Sequence, residues 1–487
     1  MSVTGNGPDA EHRFRMLGRD FAHYGVMDLF SRATGLLLLP FFTRVFSVDE
    51  YGAIDVIAVV TVLLATLTRL ALPSALKRHF IESRDSGELN RLYSSLLACV
   101  AGFALLVLAP VWPFAGAIAD LLLEDEASAT YVRLGLVTAA LSSASAIPQT
   151  LLRMQRQITR FNLLNVGQAV TYAGLAVFFV VELGSGLVGV FAALAVAEAA
   201  RLLLGLFWTR SLLTVDLSPE LVRRSLRYSL PLLPGVLVGH VNRTADRFLL
   251  LMFLGIGGVS IFAVSARISF AVQVLATIFR QAWSPHAMRM IDSPAEERND
   301  FYRRTLGYYA GALSLVGLAV TAGAPEILAV LVPPEYAAGY RVIPWLIGAA
   351  VLHASAEITN LGILISKRTS TDSVAAWSGA TINVLLTLVL IPLFGIAGAA
   401  IGTFVGELVY TGALCHFTQR QSDLRFQIGA MLGVVVCYVV AAIALLIITA
   451  TVESPLASLA ARALVVGVAA AAILPLSSRR SASALER

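Results

Sequence analysis

The sequence predicts an all-α membrane protein of about fourteen transmembrane helices, on three observations. First, 57% of the 487 residues are hydrophobic and only 14% are charged, whereas soluble domains carry roughly a quarter charged residues. Second, apolar stretches of about twenty residues, the length that crosses a bilayer, recur along the chain. Third, Lys and Arg gather in alternate connections. Since no polar segment is long enough to form a soluble domain, lipid is the expected solvent.

The fourteen stretches are joined by short connections, so helical hairpins are expected. The third and ninth are overlong and should tilt or end in an interfacial turn. The first twenty residues contain neither an apolar segment nor a small-residue cleavage site typical of a signal peptide, so the first stretch should remain as a helix. The stretches lie at about 21–43, 52–75, 92–115, 129–151, 162–182, 185–208, 227–251, 258–284, 302–332, 340–364, 373–394, 396–417, 427–450 and 457–476.

The basic residues predict the orientation, because cytoplasmic loops are enriched in Lys and Arg. With a cytoplasmic N-terminus, about 25 of the 36 basic residues fall in the inside loops and the tail, and the outside loops hold only Arg44 and Arg341. This bias alternates through all fourteen stretches. It predicts an N-in, C-in topology, and it explains the basic pI without nucleic acid as a partner.

An internal repeat of about 210 residues predicts two six-helix lobes. Arg69 matches Arg280 and Arg32 matches Arg243, while residues 186–210 align with 395–419, so that Glu198 falls on Glu407. Because six helices separate equivalent points, the two copies are expected to be parallel repeats. The predicted division is a cytoplasmic segment (1–20), an N-lobe (21–210), a cytoplasmic linker (211–225), a C-lobe (226–418), two further helices (427–476) and a cytoplasmic tail (477–487).

Several segments resemble a known family in order along the chain. They are RVFSVDEYGAIDV (44–56), LALPSALKRHF (70–80), residues 226–268 with Pro-Leu-Leu-Pro and Ala-Asp-Arg-Phe-Leu-Leu, and INVLLTLVLIPLFGIAGAAIGTFVGE (382–407). The chain resembles the polysaccharide-biosynthesis branch, O-antigen flippase type, of the multidrug/oligosaccharidyl-lipid/polysaccharide (MOP) exporter superfamily. The resemblance implies two lobes in a V shape and export of a polyprenyl-linked sugar unit at the inner membrane. It implies a lipid-linked oligosaccharide and membrane lipids as partners, with a glycan polymerase or glycosyltransferases nearby.

Arginines inside the predicted spans are the candidates for binding the head group. Ionisable side chains in a span are costly and tend to face a cavity or a partner, and a guanidinium donates two parallel hydrogen bonds to a phosphate. They gather on the first two helices of each repeat. The alternative is that Asp28–Arg32 and Arg243–Asp246 simply neutralise one another. The head-group candidates are Arg32, Arg69, Arg243, Arg247, Arg267 and Arg280.

Four titratable groups are candidates for ion coupling: Asp28, His240, Asp246 and Glu357. Histidine is the side chain whose unperturbed pKa lies near neutral pH, which makes His240 a candidate, although a lone histidine on a helix is more often a packing residue. Arg201 lies three residues after Glu198 and is expected to pair with it. No catalytic residue, metal site or cofactor is predicted.

The rival functions differ in how well the residues fit them. A membrane enzyme generally needs large external loops with catalytic carboxylates, and the outside segments at about 113–128 and 333–340 are too short. An ATP-driven pump needs a G-x-x-x-x-G-K-[ST] loop, which the sequence lacks. A drug antiporter shares the fold but relies on acidic residues, whereas these spans read as cationic. A lipid II-type flippase also uses a cationic cavity, so charge leaves that alternative open.

Overall fold

The computed structural model describes residues 34–123, 128–291, 293–360 and 370–478. Within these ranges the chain is helical and contains no β-strand, which confirms the all-α prediction. The α-helices are α1 (Leu39–Val45), α2 (Val48–Thr68), α3 (Leu72–Asp85), α4 (Leu89–Leu108), α5 (Ala115–Leu123), α6 (Ala129–Met154), α7 (Ile158–Val181), α8 (Gly186–Thr209), α9 (Pro219–Ser229), α10 (Leu233–Met290), α11 (Ala295–Ala322), α12 (Ala324–Leu331), α13 (Ile343–Thr359), α14 (Ser370–Phe394), α15 (Ile396–Gln421), α16 (Ile428–Thr451) and α17 (Pro455–Ser478).

Eleven helices in the described ranges are long and apolar enough to cross a membrane, or twelve if the bent pair Pro334–Arg341 and Ile343–Thr359 is one span. The protein is therefore a multi-pass membrane protein. The predicted first stretch, 21–43, lies largely outside the described residues. The overlong third and ninth stretches end in turns, as predicted: α4 gives way to a 3-10 turn before α5, and α11 ends before the short α12.

Helix α10 covers the predicted seventh and eighth stretches. Its backbone leaves the helical region at Gly255 (φ 67°, ψ −171°), a conformation that glycine adopts without the Cβ clash of other residues. Gly255 lies in the predicted connection between 227–251 and 258–284. At the N-terminal end of α10, Pro231 lies in the 3-10 turn that separates α9 from α10, and Pro234 lies in the first turn of α10. Prolines interrupt helical hydrogen bonding, so a break between the helices is expected here.

The chain separates into two compact units, Met1–Thr244 and Ala245–Arg487. In the first unit, a core cluster joins α3, α4 and α6 through Leu76, Leu96 and Ile147, all fully buried. In the second, Phe404 of α15 packs against Trp345 of α13, with ring centroids 5.8 Å apart.

Each unit contains a tight helical hairpin in the segment that the predicted repeat aligns with the other unit. Gly186 (φ 54°) begins α8 after α7, and Gly395 (φ 59°) precedes α15 after α14. The next matched glycine, Gly189 or Gly398, faces the preceding helix so closely that an added Cβ would lie 3.0 Å from Phe179 Cβ or 2.2 Å from the Leu390 carbonyl oxygen. The aligned segments 186–210 and 395–419 therefore have the same local structure.

The link between α2 and α3 is strained. Leu70 (φ 51°) and Ala71 (φ 52°) both adopt the left-handed conformation, which costs about 1 kcal/mol or more for a residue with a Cβ. Both side chains are buried, so packing holds the turn in place. It positions Arg69, the residue just before it.

Candidate functional site

Arg69 and Arg201 form a buried polar cluster in the first unit, which we call the N-cluster: Arg69 and Ser142, with Ser145, Glu198 and Arg201. The Arg69 guanidinium donates to the Ser142 hydroxyl over 2.7 Å. Arg201 pairs with Glu198 over 2.5 Å, which confirms the pairing predicted from their spacing. Arg201 also donates to the Ser145 hydroxyl over 3.2 Å. Three helices or helix ends (α2, α6 and α8) thus place these groups together.

The N-cluster carries more positive than negative charge. Its two guanidiniums face a single carboxylate, that of Glu198, which is 6% exposed. Among the residues that the structure describes, the buried Nε atoms of Arg69 and Arg201 have no hydrogen-bond acceptor. A buried donor without an acceptor is costly. The cluster therefore has donor capacity and charge to bind an anionic oxygen group.

The second unit holds a polar group of different charge, the C-cluster: Arg280, His353 and Glu357, with Asp372, Glu407 and Tyr410. Arg280 of α10 pairs with Glu357 of α13. His353 Nδ1 lies 3.1 Å from Glu407 Oε2, and its ring stacks on Tyr410 at 6.0 Å between centroids. The Tyr410 hydroxyl donates to Asp372 over 3.1 Å.

The two clusters occupy matching places in the repeat. Arg69 corresponds to Arg280, and Glu198 corresponds to Glu407. Their exposure differs: Arg201 and Glu198 side chains are 14% and 8% exposed, whereas those of Arg280 and Glu357 are 47% and 28% exposed. The first is enclosed and basic; the second is open and contains three carboxylates.

A third polar group surrounds Asp246 in the second unit. Asp246 is 3% exposed, and its Oδ2 accepts a hydrogen bond from the Thr403 hydroxyl over 2.8 Å. Its other oxygen has no hydrogen-bond donor among the residues described. Thr403 belongs to α15, and on the neighbouring helix α14 the Thr387 hydroxyl donates to the Asn383 side chain over 3.1 Å. Carboxylate, amide and hydroxyl oxygens suit a hard cation, although no group of three His, Cys, Asp or Glu residues in the described ranges forms a metal site.

The family follows from the sequence comparison. Residues 17–291 match the family described as "Polysaccharide biosynthesis protein", which is more than half of the chain. The chain belongs to this family. The resemblance recognised in residues 44–56, 70–80 and 226–268 is thereby confirmed. A search of curated protein sequences finds no significant match.

Solved structures with a similar fold are MOP transporters. The chain resembles the lipid II flippase MurJ in an inward closed conformation, with 13% identity and a TM-score of 0.71 over 93% of this chain and 98% of that chain. It also resembles an inward-facing multidrug resistance MATE family transporter of the MOP superfamily, with 17% identity and a TM-score of 0.67 over 81% and 94%. A third similar structure is the Vibrio cholerae MATE transporter VcmN in the bent form, with 15% identity and a TM-score of 0.57 over 84% of this chain and 97% of that chain. At these identities the likeness shows the fold.

The remaining candidates for head-group binding and ion coupling are those that do not belong to the three polar groups described above. Asp28 and Arg32 lie outside the described residues, as does the side chain of Arg243. The Arg247 guanidinium lies over the Phe262 ring at 5.2 Å. Arg267 and His240 are half-buried on α10.

Sequence reasoning missed the partners of these residues. Ser142, His353, Asp372 and Tyr410 line the two clusters, and Thr403 holds Asp246. The only signal was the repeat. An offset of 211 carries Ser142 onto His353, so aligning the arginines also aligns one of their neighbours.

Proposed function

We propose that this protein is a flippase that moves a polyprenyl-pyrophosphate-linked oligosaccharide from the cytoplasmic to the outer leaflet by alternating access, for cell-surface polysaccharide biosynthesis. Membership of the polysaccharide biosynthesis family carries the proposal. The family and the MOP transporter fold together support a membrane flippase or exporter. The similar solved structures described above are a flippase and transporters.

The proposal includes the orientation and the helix count. A helix from Thr244 to Ser284 has 41 residues, about 60 Å at 1.5 Å per residue, which is about twice the hydrocarbon thickness. The break at Gly255 therefore favours two spans in α10, and α1 belongs to a further span. With the bent pair, this supports fourteen spans. The alternating Lys and Arg bias supports N-in and C-in termini in the inner membrane.

The N-cluster is the proposed contact for the pyrophosphate. Arg69 carries a positive charge with no acidic side chain hydrogen-bonded to it in the described part of the chain, and a guanidinium matches the geometry of a phosphate. Arg280 is a weaker candidate, since Glu357 already neutralises it. We retain Arg32, Arg243, Arg247 and Arg267 as further contacts.

Asp246 is the proposed group for ion coupling. It is a buried carboxylate with an unsatisfied oxygen beside hydroxyl and amide groups, which suits a proton or a sodium ion. Glu357 is paired with Arg280, and is a weaker choice. Replacing Asp246 by Asn should abolish any dependence of flipping on a sodium or proton gradient. Gradient-dependent flipping by the variant would remove this assignment.

Reconstitution tests the proposed substrate. The purified protein is placed in vesicles that carry a polyprenyl-pyrophosphate oligosaccharide on one leaflet, and lectin accessibility reports its transfer. We expect protein-dependent transfer, with loss in Arg69→Ala. A second candidate is a lipid II-type flippase, favoured by the 0.71 TM-score to MurJ. Transfer of lipid II but not of the oligosaccharide would establish that alternative, and export of cationic drugs without either would establish an antiporter.

A further inference from the structure

A groove of about 920 Å³ lies within the first unit, between α4 and α9. Its α4 wall consists of Ser95, Ala98 and Cys99. Its α9 wall continues into the next turn, and it is apolar apart from two arginines: Val222, Arg223, Leu226, Arg227 and Leu230. The groove is separate from the N-cluster, and the proposed function does not use it.

The sequence of α9 builds two different faces. Leu221, Ser225 and Ser229 recur every four residues and are buried, with Leu221 in the core cluster of α3 and α4. Residues three and four apart share a helix face, so 222, 223, 226, 227 and 230 form a neighbouring face that remains along the groove. The helix is therefore fixed by one face and presents the other.

Several polar contacts attach α9 and the residues before it to the neighbouring helices. Arg224 donates two hydrogen bonds, of 2.7 and 2.6 Å, to the Glu82 carboxylate of α3. The backbone N–H of Ser218 donates to the Ser95 hydroxyl over 2.8 Å. Arg91 pairs with Asp216 over 2.9 Å. These contacts fix α9 and the two residues Asp216 and Ser218 before it to α3 and α4.

The two groove arginines differ from these paired neighbours. Arg223 and Arg227 are exposed, and within the described ranges neither has an acidic partner or a ring contact. They are four residues apart, so both guanidiniums lie on the same side of α9. Two adjacent uncompensated guanidiniums favour an anion, and phosphate matches their donor geometry.

The position of the α4 wall in the membrane favours a ligand with a hydrocarbon chain. Cys99 lies ten residues after Leu89, the first residue of α4, which is about 15 Å along the helix axis. Helix α4 is a candidate span, so Cys99 lies at the level of the acyl chains if Leu89 is near the surface. The arginines lie on the other wall of the groove, which α9 forms. A soluble anion would leave the apolar walls empty.

We propose that this groove binds an anionic phospholipid of the surrounding bilayer, with its phosphate at Arg223 and Arg227 and one acyl chain along Ala98 and Cys99 of the α4 wall. Charge complementarity and the apolar walls carry the proposal. Juxtamembrane basic residues attract the anionic lipids of the adjacent leaflet. The bilayer always supplies such a lipid, so it occupies the groove independently of the transported substrate.

Cys99 provides a direct probe. The chain contains three cysteines, all with free thiols, and Cys415→Ala with Cys437→Ala leaves Cys99 alone. The full-length protein in a neutral detergent is alkylated with a maleimide while dioleoylphosphatidylglycerol or dioleoylphosphatidylcholine is added. We expect phosphatidylglycerol to slow labelling about threefold at twice its dissociation constant, and phosphatidylcholine to have little effect.

Two variants isolate the arginines. Arg223→Ala with Arg227→Ala should remove the difference between the two lipids, and Arg84→Ala with Arg156→Ala, which deletes the same charge outside the groove, should preserve it. If the groove variant fails to fold, the parent protein tests the role of charge through its salt dependence. Raising NaCl from about 0.1 M to about 1 M shortens the electrostatic screening length from about 10 to about 3 Å. This should weaken the protection of Cys99 by phosphatidylglycerol.

Three results would overturn the proposal. They are equal protection by both lipids, protection that persists in a folded Arg223→Ala and Arg227→Ala variant, and protection by a polyprenyl phosphate but not by phosphatidylglycerol. The last would assign the groove to the transported lipid. None of these outcomes depends on flipping activity, so the proposal and the proposed function fail separately.

Discussion

The N-cluster and the C-cluster contain residues that the predicted repeat aligns, and they differ in burial and charge. In the first, Arg69 and Arg201 share one buried carboxylate. In the second, Arg280 is paired with Glu357 and exposed, and the cluster contains two further carboxylates, Asp372 and Glu407. A shared helical scaffold has thus kept polar groups in place while their net charge diverged. The difference favours the first unit as the site of an anionic head group.

The largest expected difference concerns stability. Arg201→Ala leaves Glu198 buried without its charged partner, and breaking such a pair costs about 3–5 kcal/mol. Arg280→Ala leaves Glu357 partly exposed to solvent and should cost less than about 1 kcal/mol. Thermal unfolding in detergent measures both.

The double variant Arg201→Ala with Glu198→Ala provides the control, because it removes the buried charge as well as its partner. It should recover part of the lost stability. Equal destabilisation by Arg201→Ala and Arg280→Ala would contradict the distinction between an enclosed and an open cluster.

The hairpins of the two units should respond unequally to an added methyl group. In Gly398→Ala the new Cβ would meet a backbone carbonyl at 2.2 Å, which cannot rotate away, so a loss of about 3 kcal/mol is expected. In Gly189→Ala the atom nearest to the new Cβ is at 3.0 Å, so we expect a smaller loss of stability, about 1 kcal/mol. Gly412→Ala on α15 meets nothing within 4 Å and is the matched control. Unfolding temperatures that rank Gly189→Ala as the more damaging would contradict this packing.

Features that arise within one continuous segment could be predicted from the sequence, whereas contacts between residues far apart in the sequence could not. Hydropathy locates the spans because each span is continuous along the chain, and the alignment of 186–210 with 395–419 is visible because both segments are continuous as well. The Arg280–Glu357 pair joins residues 77 positions apart, so no helical spacing reveals it. The left-handed Leu70–Ala71 turn contains no glycine to signal it, and only tertiary packing imposes it.

The smallest expected effect is the pH dependence of stability that arises from His79, on α3 of the first unit. His79 of α3 is buried, and its pKa is lowered by that burial and then by the Arg224 guanidinium. The unfolded chain therefore binds a proton more readily, so the native state loses stability as pH falls through about 6.5 and keeps it above. His79→Asn should lose less stability than the parent between about pH 7.5 and 5.5. Identical pH dependence of unfolding in both proteins would show that His79 does not titrate as described.

The central claim is that Arg69 of the N-cluster binds the anionic head group during transfer across the membrane. The most direct measurement compares Arg69→Ala, Arg69→Lys and Arg280→Ala in the vesicle assay with a polyprenyl-pyrophosphate oligosaccharide, after size-exclusion chromatography confirms that each is folded. A lost hydrogen bond to a charged group is worth about 1.5–3 kcal/mol, so Arg69→Ala should slow transfer about 10- to 100-fold, with partial activity in Arg69→Lys. Arg280→Ala should remain within about fivefold of the parent, or about 1 kcal/mol. Full activity in a folded Arg69→Ala variant would contradict the claim.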